Sequence, residues 1–507
     1  MSQARKVIVI GGGITGMTAA YYLKKRLDAG GFKADITLVE GAESLGGRIN
    51  TLRKDGFVIE KGPDSFLARK LPIIELSKEL GLEDELTGTN PEAKKTYILR
   101  DGKLHPMPPG LVLGIPTELG PFMRTALVSP AGKARALLDL ILPKKEEPGD
   151  ESLGHFLERR LGKEVLEQVV EPLLAGIYAG DTFALSLQST FPQFGELEQE
   201  HRSLIYGMMN NRKQTQLEAR NLPVPGRKST FLTYKNGLST LVQRLEEVLR
   251  DSGVNIRTGV KVREMGKQGG RYRVVLGNGQ TEEADSVIVT LPTYHTAELL
   301  GELPGVEKLK AINYVSVANV VLAYRQEDAN VSFDGSGFLI PRLEGRSITA
   351  CTWTSAKWLH TAPEGHVLLR CYVGRSGAED WVELSDEELV AKVRQDVAEL
   401  MGIEAEPLFH EVTRLHRSMP QYPVGHLDNI RELRSELAEQ MPGVYVTGAG
   451  FNGVGLPDCI RQGRDTAYEA ADRLMASTAV DGLDGLDAIG GIDGVAASAA
   501  PGRQARS

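Results

Sequence analysis

The fold is decided by VIVIGGGITGMTAAYYL (residues 7–23) and ITLVEGAESLGGR (residues 36–48). Each stretch begins with a short run of β-branched apolar residues, Val7–Ile10 and Ile36–Val39, which is typical of a buried strand in a parallel sheet. The helix predicted between them runs to about Arg26. This order of strand, helix and strand predicts an α/β fold with a Rossmann-like nucleotide-binding domain.

Glycines mark the turn between the first strand and the helix. Gly11, Gly13 and Gly16 fit the pattern G-x-G-x-x-G, in which the first glycine makes a tight turn, the second lets a pyrophosphate approach, and the third lets helix and strand pack closely. The N–H groups and the dipole at the start of the helix attract phosphates. Glu40 ends the second strand and is predicted to bind a ribose hydroxyl. The pattern predicts a dinucleotide without saying which one.

Composition narrows the class of protein. A chain of 507 residues predicts two to four domains, and a net charge of −8 argues against nucleic acid as a partner. The three cysteines, Cys351, Cys371 and Cys459, fit a reducing compartment, and the scattered histidines give no metal-binding pattern. No leader-like segment and no apolar run of about 18 residues is seen, which predicts a soluble cytoplasmic protein.

The predicted nucleotide-binding domain is discontinuous, because strand patterns suited to its sheet recur late in the chain. Ser286–Thr290 reads as a buried strand that follows a hairpin at Asn278-Gly279, and another strand, turn and helix close the core. The domains predicted from this pattern are a nucleotide-binding domain at 1–87, 225–293 and 407–477, a mostly helical insert over a substrate cavity at 88–224, and an α+β substrate domain at 294–406. The tail 478–507 is mostly Gly, Ala and Asp and is predicted to be disordered.

Three further motifs carry the chemistry. SLGGR (44–48) brings a backbone close to the cofactor and adds an arginine that can meet a pyrophosphate. EKGPDSF (60–66) is a run of Gly, Pro and small polar residues suited to line a ring. TGAGFNGVGLPDC (447–459) leads from a strand into a helix whose N-terminal dipole can face the flavin edge that becomes negative on reduction.

These and other motifs resemble one family. GGGITG, GGR, GPDSF, GIYAGD, STFPQF, SVANV, TACTW, SMPQYPVGH and GVGLPDC occur in the order seen in bacterial porphyrinogen oxidases of the type that forms coproporphyrin III in Gram-positive haem synthesis. The resemblance covers residues 5 to about 476. The first two motifs are shared with amine oxidases and carotenoid desaturases, whereas GIYAGD and STFPQF are specific to the group.

The resemblance implies FAD rather than NAD. It places the pyrophosphate at the glycine turn, the ribose at Glu40, the ring along the loop 62–65, and a cap over the ring at 453–456. Relatives often have Trp where this chain has Leu415, and no cysteine stands where some amine oxidases tether their flavin, so non-covalent FAD is expected. The implied cofactor-binding residues are Gly11, Gly12, Gly13, Ile14, Thr15, Gly16, Met17, Glu40, Gly41, Gly47, Arg48, Gly62, Pro63, Asp64, Ser65, Val262, Leu415, Gly448, Gly453, Val454, Gly455 and Leu456.

For the substrate, the resemblance implies Lys70, Ile177 and Tyr372. Without the resemblance, Lys70 would be explained as a surface lysine, Ile177 as a core aliphatic residue and Tyr372 as a core aromatic residue on a strand. Only the resemblance places them in a cavity wall. Lys70 is the predicted cation for a substrate propionate, because a chain of net charge −8 repels an anionic substrate elsewhere.

The implied reaction is the six-electron oxidation of coproporphyrinogen III to coproporphyrin III, as three hydride transfers to flavin N5, with O2 as the final acceptor and hydrogen peroxide as product. No catalytic acid or base is predicted, since pyrrole protons leave to solvent, and no metal is expected. The alternatives are protoporphyrinogen IX as substrate, an amine oxidase, and a flavin-bound scaffold in a haem-synthesis complex. The helical stretch at 108–143 is predicted to be a lid over the substrate cavity, with a peripheral membrane contact as the alternative.

Overall fold

The computed structural model describes residues 4–147, 149–219, 222, 226, 228–303 and 305–487. Among these, a five-stranded parallel sheet, here called the nucleotide sheet, forms the first layer, and its order places the amino-terminal strand in the middle. Its strands, in spatial order, are Asn255–Arg257, Ala34–Val39, Arg5–Ile10, Ser286–Val289 and Val444–Val446. Three distant parts of the chain therefore build one sheet, which confirms the predicted Rossmann-like α/β fold.

Two helices cover one face of the nucleotide sheet. The first, Ile14–Ala29, follows the glycine turn and is here called the glycine-turn helix; the second is the C-terminal helix, Leu456–Asp487. A Cβ atom built on Gly463 would lie 3.2 Å from the backbone nitrogen of Ala19, so the two helices approach closely at this glycine. Their starts consequently lie side by side at the carboxyl edge of the sheet.

A second large sheet has seven strands in the order Phe409–Pro420, Tyr314–Arg325, His366–Val373, Ile348–Trp353, Gly335–Leu339, Lys95–Arg100 and Lys103–Pro106. The last two strands lie within the insert predicted to be mostly helical at 88–224. They form a hairpin at Asp101-Gly102, whose positive φ angles of 51° and 71° suit a tight turn. The boundaries predicted at 294 and 407 thus fall between strands of this one sheet.

Smaller sheets connect these layers. The hairpin predicted at Asn278-Gly279 is confirmed by antiparallel pairing of Arg271–Leu276 with Thr281–Ala284. The remaining small-sheet strands are Thr51–Lys54 with Phe57–Glu60, Phe66–Leu67 with Phe231–Tyr234 and Leu86–Gly88, Leu111–Val112 with Ile115–Pro116, and Val262–Gln268 beside the confirmed hairpin.

Eight of the sixteen other α-helices of the described residues lie between residues 119 and 219, around a hydrophobic cluster of their own. A buried ion pair fixes this helical layer: Arg160 Nε lies 2.5 Å from Asp139 Oδ1, and both side chains have no exposed surface. Further α-helices are Leu71–Glu79, Leu119–Arg124, Pro130–Leu137, Leu153–Leu161, Lys163–Val165, Glu171–Tyr178, Leu187–Thr190, Pro192–His201, Leu204–Ala219, Ser239–Asp251, Thr293–Leu300, Val306–Lys310, Gln326–Ala329, Thr354–Lys357, Asp386–Met401 and His426–Gln440.

The C-terminal helix continues to Asp487, ten residues into the segment predicted to be disordered from 478. Extending an existing helix needs no new nucleation, so a Gly- and Asp-containing sequence can continue it at low cost. Residues 488–507, the rest of the predicted tail, lie outside the described residues. Within the described part of the chain, no helix is long and apolar enough to cross a membrane.

Candidate cofactor and substrate site

The glycine turn is shaped by close approach of backbone to backbone. Gly11 has a φ of +106°, and a Cβ on it would lie 2.6 Å from Thr290 Oγ1 on the neighbouring strand end. A Cβ on Gly16 would overlap the carbonyl oxygen of Gly11. Around Gly13, in contrast, no described atom lies within 4 Å of such a Cβ. The first and third glycines therefore serve packing, and the second faces open space.

The start of the glycine-turn helix is free to bind an anion. Gly13 is its N-cap, and among the described residues no side chain caps the helix or places an acid in its first turn. Positive partial charge on the first N–H groups therefore points toward the open space at Gly13. This arrangement suits a pyrophosphate.

Glu40 lies directly beside this turn. Its Oε2 accepts a hydrogen bond from the Gly12 nitrogen at 2.6 Å, and its Oε1 accepts one from the Ala42 nitrogen at 2.7 Å. Each carboxylate oxygen can accept more than one hydrogen bond, so these contacts orient Glu40 and leave it able to accept from ribose hydroxyls. The nearby Val260 nitrogen donates to the Glu40 carbonyl at 3.0 Å, which brings the start of the strand containing Val262 to the same end of the site.

The segment around Arg48 follows the turn and faces the same space. The Gly46 nitrogen donates to the Gly12 carbonyl at 2.9 Å, so the second glycine pair packs on the first turn. The Arg48 side chain reaches solvent, but burial lowers its pKa, and the opposing effects of Tyr294 and Tyr314 do not restore its ordinary value. An arginine that is both accessible and surrounded by protein lines a cleft, where it can meet an anionic group.

A third backbone segment, Gly453–Leu456, closes the site from the carboxyl-terminal side. Gly453 has a φ of +106°, and its nitrogen donates to the Tyr422 hydroxyl at 3.2 Å. The Gln462 amide donates to the Gly453 carbonyl at 3.2 Å. Upstream, a Cβ on Gly448 would lie 3.8 Å from Thr15 Oγ1 on the glycine-turn helix. The segment is therefore fixed against that helix while its turn stays at the cleft.

The loop 62–65 is held from behind by a buried arginine. Arg370 is 3% exposed, donates from Nη2 to the Gly62 carbonyl, and stacks 5.0 Å from the centre of the Tyr372 ring. Burial alone would raise the pKa of Asp64, but the charges of Lys357 and Arg370 hold it below its ordinary value. The loop therefore carries an ionised carboxylate on a rigid support.

A small cavity lies behind this loop and is lined in part by Glu60, Trp358 and Arg370. The Leu238 nitrogen donates to Glu60 at 2.6 Å and the Thr51 hydroxyl at 2.9 Å, yet burial raises the pKa of Glu60 to about 7. Within the described chain, Trp358 Nε1 and two nitrogens of Arg370 have no hydrogen-bond partner. A buried water at this place would satisfy them.

These segments together fit a dinucleotide with a planar ring: an uncapped helix start for phosphates, an acid for the ribose, and two backbone segments for the ring. The chain matches the family described as flavin containing amine oxidoreductase over residues 14–471. The chain belongs to this family.

Two curated relatives extend over nearly the whole chain, and both are named coproporphyrinogen III oxidase. The protein of Bacillus subtilis strain 168 is 48% identical over 480 residues, covering 94% of this chain and 100% of the relative. The protein of Staphylococcus aureus is 42% identical over 473 residues, covering 93% and 100%. A crystal structure of a protein from Exiguobacterium sp. 255-15 superimposes with a TM-score of 0.82 at 36% identity, covering 93% of this chain and 99% of that one.

Membership in the flavin-containing amine oxidoreductases confirms FAD as the cofactor and an oxidoreductase as the class of enzyme. The residues at the cleft fit this cofactor, because the open space at Gly13 and the uncapped helix start lie where its pyrophosphate needs them. The residue assignments themselves remain predictions. Leu415, predicted near the flavin, lies on the strand Phe409–Pro420 opposite Val317 and is partly buried.

The three predicted substrate residues have different surroundings. Lys70 forms an ion pair with Asp458, and the charge of Asp458 also reaches Tyr178, the neighbour of Ile177. Ile177 is 37% exposed, so it is not a core residue. Tyr372 lies behind the flavin loop with Arg370 and Asp64, and burial raises its pKa to about 12. The structure thus places Tyr372 with the loop, whereas Lys70 and Ile177 have partly exposed side chains.

Sequence reasoning missed Asp458 and Arg370. Asp458 stands within the quoted GVGLPDC, but its partner Lys70 is 388 residues away, so no local pattern connects them. Arg370 did carry a signal, because a charged residue in the middle of the apolar strand HVLLRCYV is buried only when it has a specific partner.

Proposed function

We propose that this protein is an FAD-dependent oxidase that converts coproporphyrinogen III to coproporphyrin III in haem biosynthesis. The observation that carries the proposal is the pair of coproporphyrinogen III oxidases at 48% and 42% identity, each covered over its full length. The geometry supports it, because the cleft is built from backbone segments that can lie along a flavin and from few ionisable groups.

Bound FAD supplies a two-electron acceptor, and O2 is the proposed final acceptor. Three rounds of two-electron oxidation convert a porphyrinogen to a porphyrin. The residues of this chain bind and orient: the glycine turn takes the pyrophosphate, and the loop 62–65 and the segment 453–456 confine the ring. No residue is proposed as an acid or base, since the protons released from pyrrole nitrogens can leave to solvent. The reaction therefore depends mainly on positioning.

Lys70 is the proposed contact for a propionate of the substrate, with Ile177 and Tyr372 as further wall residues. Lys70 is 40% exposed and already paired with Asp458, so we expect a smaller contribution than that of an isolated buried cation. Lys70→Ala should raise KM for coproporphyrinogen about three- to tenfold while kcat stays within a few-fold. Lys70→Glu should raise KM further. Steady-state kinetics checks both, and an unchanged KM in Lys70→Glu would remove Lys70 from the substrate site.

The experiment that tests the function mixes purified holoenzyme with each porphyrinogen under air and follows porphyrin fluorescence and peroxide. We expect faster turnover of coproporphyrinogen III. Preference for protoporphyrinogen IX would assign the alternative substrate. Turnover of primary amines with aldehyde release would assign an amine oxidase, and FAD binding without any turnover would assign a scaffold.

We further propose that the protein acts in the cytoplasm. The net charge of −8 favours this placement over an acidic membrane surface. A peripheral contact with the inner face of the membrane is the alternative, and Met123, Leu138 and Ile141 of the helical layer are 47%, 43% and 65% exposed. Co-sedimentation of the purified protein with anionic vesicles distinguishes the cytoplasmic placement from the membrane contact. Contact with other haem-synthesis enzymes can be tested with the same purified protein.

A further inference from the structure

The cation assigned to the substrate has a partner of its own. Lys70 Nζ forms an ion pair with the Asp458 carboxylate, which joins the residue before the helix Leu71–Glu79 to the first turn of the C-terminal helix. The Lys70 side chain is 40% exposed and that of Asp458 is 20% exposed. The pair therefore lies at the border of the cleft and is open to a third charged group.

Asp458 also contacts the segment that closes the cofactor site. A Cβ on Gly453 would lie 3.0 Å from Asp458 Cβ, and one on Gly455 would lie 2.7 Å from Asp458 Oδ2. On the other side, Asp458 adds to the effect of burial in raising the pKa of Tyr178, which neighbours Ile177. The Asp458 carboxylate thus lies against both the segment 453–456 and Lys70, and its charge reaches the helix that carries Ile177.

This position gives Asp458 a specific electrostatic effect. The ion pair is neutral as a whole, so a propionate that approaches Lys70 also approaches a carboxylate. Asp458 further offsets the positive end of the C-terminal helix, because it lies in the first turn. The cleft consequently attracts anions less strongly than it would if Lys70 had no carboxylate partner.

We propose that Asp458 is a specificity-determining residue that sets the net charge sensed by substrate carboxylates at Lys70. The inference rests on the proposed porphyrinogen substrate. It implies that the net charge of the pair, rather than lysine alone, governs KM. A substrate with four propionates should respond to that charge more strongly than one with two.

The test is a double-mutant cycle with KM measured for both porphyrinogens. Asp458→Asn should lower KM for coproporphyrinogen about three- to tenfold, and less for protoporphyrinogen. Lys70→Ala should raise KM by a similar factor. The double variant restores a neutral site, so its KM should return to within about threefold of wild type. In all three variants kcat should stay within a few-fold, and the KM differences should shrink as salt is raised.

A matched control is present on the same two helices. Glu75 on the helix Leu71–Glu79 pairs with Arg464 on the C-terminal helix at 2.8 Å. Glu75→Gln changes the total charge by the same amount as Asp458→Asn and also breaks one bridge between these helices. KM should be unchanged in Glu75→Gln, which separates local charge from total charge and from helix docking.

The outcomes distinguish this inference from the proposed function. If wild-type holoenzyme oxidises neither porphyrinogen, the proposed function fails before any variant is made, and this inference falls with it. If wild type is active but the double variant keeps the high KM of Lys70→Ala, Lys70 contacts the substrate independently of Asp458 and this inference alone is overturned. Should Asp458→Asn not fold, Asp458→Ser gives a second neutral variant for the same cycle.

Discussion

Gly13→Val tests the cofactor site at the point where the protein itself leaves room. The backbone of Gly13 has φ −70° and ψ 175°, which a β-branched residue adopts readily, and no described atom lies within 4 Å of an added Cβ. The cofactor-free protein should therefore lose no more than about 1 kcal/mol of its free energy of unfolding, the usual range for a weaker N-cap.

Gly13→Val should weaken FAD binding far more than it lowers the stability of the fold. The new side chain occupies the path by which the pyrophosphate reaches the helix N–H groups. Each charge-assisted hydrogen bond lost is worth about 1.5–3 kcal/mol, or roughly ten- to hundredfold in affinity. Losing one or two such bonds should weaken FAD binding at least tenfold in Gly13→Val.

The assay titrates FAD into cofactor-free protein and follows flavin fluorescence, with the melting temperature measured on the same sample. Wild type should be yellow and should release FAD on heating or in acid, as expected for non-covalent binding. Gly266→Val is a matched control, because Gly266 also has open space around its Cβ but lies on the outer strand Val262–Gln268. A Gly13→Val protein that binds FAD as tightly as the control would refute the assignment of the glycine turn.

Three further predictions concern stability. Burial raises the pKa of Glu60 from 4.5 to about 7, so between these pH values the folded state holds a proton that the unfolded state loses. The free energy of unfolding should therefore fall by about 3 kcal/mol as the pH rises from 4.5 to about 7. Glu60→Gln should reduce this pH dependence, measured by urea unfolding at several pH values, and an unchanged pH dependence would contradict the assignment. Arg160→Ala should lower the free energy of unfolding by about 3–5 kcal/mol, because the buried Asp139 carboxylate loses its cationic partner. A loss under about 1 kcal/mol would show that water reaches the pair. Ending the chain at Ser477 should leave FAD content and melting temperature almost unchanged, and a loss of several degrees would show that the removed segment docks on the protein.

Local patterns predicted the parts of the fold that depend on neighbouring residues. The glycine turn, the hairpin at Asn278-Gly279 and the buried strand from Ser286 all carry their signal within a few residues, because turn chemistry and burial act locally. The hairpin at Asp101-Gly102 carried the same kind of turn signal, but it lies in a segment predicted to be mostly helical. Its strands become stable only by pairing with Gly335–Leu339, a segment more than 200 residues away.

The candidate site likewise has some features that depend on neighbouring residues and others that depend on distant parts of the chain. Residues of the glycine motifs could be predicted, since the motif itself states the backbone requirement. The support of the loop 62–65 by Arg370 and the pairing of Lys70 with Asp458 depend on contacts across about 300 to 400 residues of chain, which no local spacing records. Such contacts become predictable only when the topology of both sheets is known.

The discontinuity of the nucleotide sheet has a consequence for synthesis of the protein. The strand Arg5–Ile10 is made first, yet one of its neighbours, Ser286–Val289, follows almost 280 residues later, and the closing segment Gly453–Leu456 comes near the end. At about 5–20 residues per second, a ribosome needs roughly half a minute to a minute and a half to connect them. The nascent chain therefore exposes the apolar edges of its first strands throughout that time. The proposed FAD site includes this closing segment, so the site is complete only after the segment has emerged from the ribosome.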